Sequence, residues 1–164
     1  MSDEDIVVSC STTLSGADDP MKVFDSLQKL FPEITDDELE DRYCTFPMPS
    51  EEVHWKFTNL DPTTILEKMA EERILDTALD AMSQSLYGDH TTFRLSRQAA
   101  MVNKISFCLT NEKPLGGSFT IEIKGHDLAT WLEDVTWHKG RQMIPRQIGD
   151  DHRMAKDGSS RSRF

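Results

Sequence analysis

The chain is 164 residues long, 37% hydrophobic and 29% charged, with a formal net charge of −11. That length suits one domain with a core of its own, and no apolar run approaches the ~20 residues that a membrane span needs. So acidic a balance argues against broad contact with a phosphate backbone, whose affinity comes from neutralised phosphates and released counterions. The charge is also uneven. Residues 138–164 hold seven Lys or Arg against three Asp, a balance of +4, which leaves 11 basic and 26 acidic side chains in residues 1–137. The start, MSDEDIVVSC, has acids where a signal peptide has a basic flank, so the expectation is a cytoplasmic protein.

In chain order, IVVSCSTTL (Ile6–Leu14) is rich in β-branched residues and predicts the first strand. Asp19 and Pro20 then supply a cap and a first helical position for a helix whose Val23, Phe24, Leu27, Leu30 and Phe31 form one apolar stripe. Pro32 ends it. ITDDELED is either one helical turn, with Thr35 and Glu38 as a capping box, or an acidic loop. Tyr43–Phe46 and the alternating Val53–Thr58 are expected to form a hairpin.

Asp61-Pro62 opens the longest helical stretch, TTILEKMAEERILDTALDAMSQSL. Ile65, Leu66 and Met69 do not share the stripe of Leu75, Leu79, Met82 and Leu86, so the helix breaks near Glu71-Glu72 or its halves bury different faces. Three strands follow, marked by Phe93 and Leu95, by Ile105, Phe107 and Leu109, and by Phe119, Ile121 and Ile123. Asp127 is placed to cap a last helix carrying Leu128, Trp131, Leu132 and Val135. Beyond Trp137 the periodicity stops. The expected organisation is a single α+β domain over residues 1–137 and a basic, mobile tail over 138–164. Short turns between strands imply a mostly antiparallel sheet with helices on one face, a two-layer α+β sandwich.

Chemistry-bearing motifs are sparse. Cys10, Cys44 and Cys108 are odd in number and widely spaced, which predicts buried or half-buried thiols rather than disulfides or a metal site. None of His54, His90, His126, His138 and His152 stands at ligand spacing from a histidine, cysteine or acid. Gly116-Gly117 precedes a strand, whereas a phosphate loop opens a helix, so it reads as a turn. No enzyme, cofactor or metal is expected.

The most promising polar residues are Arg73 and Asp76, three apart on the long helix, and Ser96, Arg97 and Gln98 of SRQAA. Ser96 is placed to cap a short helix that Ala99 and Ala100 let pack closely. The structural reading is a polar cluster that locks the strand crossover. The functional alternative is contact with an anion or an RNA backbone by Arg94, Arg97 and Lys104, helped by the basic tail. The residues alternating with the core set are Thr92, Arg94, Ser106, Cys108, Ser118, Thr120, Glu122 and Lys124, with no aromatic on which a base could stack. That face suits close packing against another protein, or exposure to water.

ERILDTALDAM, TTFRLSRQAAMVNKISF and PLGGSFTIEI, in that order and spacing, resemble an archaeal uncharacterised-protein family, UPF0201. The matching positions are Arg73 to Ala78, then Phe93, Leu95, Gln98, Ala99 and Ala100, then Pro114, Leu115 and Gly116. Leu79 departs from an arginine of the pattern, Ser96-Arg97 replace Asn-Lys, and Asn103 stands at a position that is often glycine. The resemblance implies a fold similar to the large-subunit ribosomal protein L-five, a homodimer, no established activity, and a P-loop kinase-like protein partner. Together the residues and the resemblance predict a non-enzymatic protein-binding or scaffold domain, with weak RNA association as the alternative.

Overall fold

The computed structural model describes residues 6–16, 18–35 and 52–142. Strand β1 (Val7–Leu14) turns Val8, Cys10, Thr12 and Leu14 inward. Helix α1 (Pro20–Leu30) starts as the sequence predicts, with the Asp19 carboxylate accepting from the Met21 N–H at 3.1 Å. It buries Val23, Phe24, Leu27 and Leu30. Strand β2 (Val53–Phe57) alternates Val53, Trp55 and Phe57 inward with His54 and Lys56 outward.

The long helical stretch does break. Helix α2 (Thr63–Glu71) buries Ile65 and Met69, and α3 (Leu75–Gln84) buries Leu75, Ala78, Leu79 and Met82. Arg73, at φ 60°, reverses the backbone between them. The break lets two apolar stripes of different angular position reach the same core.

Strand β3 (His90–Ser96) runs straight into the one-turn helix α4 (Arg97–Met101), where Ser96 Oγ accepts from the Ala99 N–H at 3.2 Å. Ala100 is buried where α4 meets α1. Strand β4 (Ser118–Lys124) and helix α5 (Leu128–Val135) follow, and a 3-10 turn spans Lys139–Gln142.

The sheet is antiparallel throughout, in the order β2-β1-β4-β3. Its inward residues and the helical stripes form one core cluster. Each fully buried Leu, Ile or Phe there contributes roughly 1.5–3 kcal/mol, so the α+β sandwich rests mainly on this seam. The opposite face carries Val7, Ser9, Ser11 and Thr13, His54 and Lys56, Ser118, Thr120, Glu122 and Lys124, and His90, Thr92, Arg94 and Ser96.

Three expectations need correcting or limiting. Ile105–Leu109 does not form a strand; it touches β3 through one bridge, Leu95 to Phe107. Alternation misled here because Leu109 is 74% exposed and the segment turns away after two backbone bonds, Ser96 N–H to Ser106 O and Cys108 N–H to Arg94 O. Asp127 does precede α5, but at φ 54° its carboxylate accepts from Thr130 Oγ1 rather than from the helix backbone. The turn at ITDDELED and the Tyr43–Phe46 strand fall largely or wholly outside the described residues.

Candidate functional site

Arg97 is the first residue of α4, directly after the outermost strand, and its side chain runs back across the end of the sheet rather than into solvent. Nε donates to Gly116 O at 2.6 Å, Nη1 to Thr12 Oγ1 and to Thr13 O at 3.0 Å each, and Nη2 to Asp18 Oδ1 at 3.0 Å. Only 5% of it is exposed. Gly117, at φ +84°, leaves room for it: a Cβ there would sit 2.5 Å from the guanidinium carbon. The PLGG turn is therefore a seat for an arginine. Backbone donation from Arg97 N–H to Gly117 O closes the contact.

Asp76 belongs to a second cluster. Arg141 Nη2 donates to Asp76 Oδ1 at 2.7 Å, and His138 Nε2 lies 3.0 Å from the same oxygen. Arg141, also buried, further donates to Glu133 O and Thr136 Oγ1. Burial alone would raise the Asp76 carboxyl, but hydrogen bonds from Arg141 and His138 outweigh it and hold the group below the usual carboxylate range. Residues 138–142, read from sequence as the start of a tail, thus hold onto α3 and α5. Residues 143–164 lie outside the described residues.

The anticipated cluster of Arg73, Asp76 and Arg97 does not assemble. Arg73 is exposed in the helix break, while Asp76 and Arg97 serve separate ion pairs. Glu72 does reach the crossover, accepting from the Ile105 N–H at 3.0 Å. Gln98 and Lys104 are exposed, and Arg94 Nη2 donates to Leu109 O and Thr110 O. Asn103 has φ 63°, the left-handed region where glycine or asparagine is least strained, and its side-chain oxygen accepts from Lys68 Nζ.

The contact that sequence reasoning missed is Asp18 with Arg97. Asp18 lies 79 positions away, and only its place two residues before the α1 proline hinted at a structural use.

Beside the Arg97 seat, on the open face, lies a hollow of about 750 Å³. Its lining includes Ser11, Thr13, Ser118 and Thr120, the cations Lys56, Arg94, Arg97 and Lys113, and the carboxylates Asp18 and Glu52. Among the described residues the lining thus carries a balance of +2, within a chain of net −11.

Among the described residues no cluster of three His, Cys, Asp or Glu could hold a metal ion. Cys10 is buried, which pushes its thiol well up, and burial also raises the half-buried Cys108 despite Arg94 nearby. No described helix is long and apolar enough to cross a membrane.

No family model matches the chain. A stretch of 72 residues, 42% of this chain and 50% of the relative, is 46% identical to a UPF0201 protein of Sulfurisphaera tokodaii. A stretch of 87 residues, 51% of this chain and 59% of the relative, is 37% identical to a UPF0201 protein of Metallosphaera sedula. The chain therefore spans between half and three-fifths of the curated relatives it matches. The crystal structure of a UPF0201 protein from Methanococcus jannaschii superposes with a TM-score of 0.63 at 18% identity, covering 80% of this chain and 99% of that one, which shows a shared fold.

Proposed function

We propose that this chain, a relative of the archaeal UPF0201 proteins, is a non-enzymatic protein-binding domain that pairs with a second copy through the open face of its sheet. The observation that carries the reading is the makeup of that face among the described residues: short hydroxyl side chains on the central strands, no Phe, Tyr or Trp, and charges at its margins. Short side chains let a second sheet approach to the usual spacing of about 10 Å.

The charges are also self-complementary. Glu122, which pairs within its own chain with His90 at 3.1 Å and Lys124 at 3.3 Å, stands two residues along β4 from Thr120, which pairs with Arg94. A two-fold axis crossing the strands between them sets Glu122 of one copy beside the partner's Arg94. The groups able to do chemistry, Arg97, Asp76, Arg141 and Glu72, are taken up in internal contacts. RNA association is less well supported, since Arg97 is sealed and only Arg94 and Lys104 of the three remain accessible.

Sedimentation equilibrium tests the proposal. The expected outcome is a dimer that Glu122→Arg weakens by placing arginine against arginine. A parent protein that stays monomeric at high concentration overturns it, and so does RNA binding that falls steeply with salt and is lost with Arg94 and Lys104.

A further inference from the structure

We infer that the hollow at the loop end of the open sheet face is a binding site for a small phosphate monoester. It goes beyond the pairing proposed above and needs one copy only. A facing sheet of serines and threonines would roof a hollow of about 750 Å³ rather than fill it, and that volume lies within the range of small-ligand sites.

The sheet register supplies the geometry. Lys56 pairs with Ser11, Ser11 with Thr120, and Thr120 with Arg94, so the four form one row across β2, β1, β4 and β3. Strands lie about 4.8 Å apart, which puts two hydroxyls at the middle of the row and a cation at each end, about 14 Å apart. Thr13 and Ser118 line the same hollow, and Lys113 overhangs it from the turn before β4.

Hydroxyls donate to phosphate oxygens and, like ammonium and guanidinium groups, suit an oxygen-rich anion better than an apolar body. Lys56 carries its charge on a flexible four-carbon stem and is exposed. Arg94 spends only Nη2 on Leu109 O and Thr110 O, leaving its other N–H groups without an acceptor among the described residues. Arg97 is saturated, yet its pair with Asp18 cancels that carboxylate, so among the described residues the ligand meets Lys56, Arg94 and Lys113 against Glu52.

A dianionic phosphate matches this local excess. A single carboxylate would leave part of it unmet. A longer polyanion would run off one row of residues onto an acidic body.

Titration calorimetry and amide NMR of the full chain, at constant ionic strength, with inorganic phosphate and adenosine monophosphate as probes, test the inference. Saturable binding is expected, with shifts at Ser11, Thr13, Ser118 and Thr120. Lys56→Gln with Lys113→Gln, both at exposed positions, should weaken it about tenfold, the value of one charge-assisted hydrogen bond, without moving the unliganded thermal midpoint. Arg94→Gln should weaken it further.

The inference fails if neither probe saturates, if the double variant binds as well as the parent, if the shifts map elsewhere, or if only single-stranded RNA binds. Sedimentation of the same samples without ligand reports the pairing separately, so either proposal can fall alone.

Discussion

Two arginines, Arg97 and Arg141, are buried to nearly the same degree, at 5% and 7% exposure, and each donates to one carboxylate, to backbone oxygen and to one threonine hydroxyl. What they hold together differs. Arg97 joins three acceptors 79 to 85 positions before it and one 19 positions after it, closing the end of the sheet against the α1 entrance and the turn before β4. Arg141 takes two of its partners from the preceding α5 region and one, Asp76, from α3. Their carboxylates differ as well, the Asp18 side chain being 20% exposed and that of Asp76 41%. One arginine closes the sheet end of the domain; the other fastens the segment after α5 to its surface. A buried cation is thus no functional signal by itself, because burial without full pairing is what costs free energy.

The comparison can be broken at its strong end first. Arg97→Ala leaves Asp18 Oδ1 and two backbone carbonyls without the arginine's N–H groups, and should cost about 3 kcal/mol in urea unfolding. If the loss is under about 1 kcal/mol, the clamp is not what closes the sheet end. Gly117→Ala attacks the same seat from the other side. A left-handed φ of +84° and a collision with Arg97 should together cost roughly 2 kcal/mol. In an Arg97→Ala background the collision part should vanish, and a double-mutant cycle reads that difference.

Ser96→Ala removes the α4 cap and should cost about 1 kcal/mol, seen as faster amide exchange at Ala99.

At the weak end, Arg141→Ala should leave the urea midpoint nearly unchanged while amides of residues 138–142 lose protection, since it frees a peripheral turn. Asp76 adds a pH test. Its folded pKa is depressed, so its contribution is present at neutral pH and lost as pH falls through the folded value, below the usual carboxylate range. Asp76→Asn should remove that acid-side loss of protection in residues 138–142. Equal acid sensitivity in the variant would place the titrating group elsewhere.

Much of this architecture could be read along the chain because it is local. The Asp19-Pro20 start, the offset stripes that forced a break near Glu72, and Ser96 before two alanines each depend on neighbours within a turn or two. β-branched content located β1 and period-two alternation located β2, β3 and β4, but alternation also suggested a strand at Ile105–Leu109, where only one bridge forms. A strand needs a partner edge along its length, and alternation cannot say whether one is there.

The hollow was half legible: an aromatic-free face with Arg94 followed from spacing, while Lys56 and Lys113 joined it only through the pairing of β2 with β1 and the overhang of the turn before β4.

By itself the sequence determined most of the described elements, most of the inward set of residues and the want of a catalytic motif, since propensity, capping and periodicity act over a few residues. The tertiary structure alone decided that Arg97 meets Asp18, that Arg141 rather than Arg73 takes Asp76, and that Lys56 and Arg94 stand at the two ends of one row of hydroxyls with Lys113 lining the same hollow. Each of these depends on which distant segments become neighbours. Side-chain charge sets how strongly such groups attract, and only the packing of the whole chain sets whether they meet.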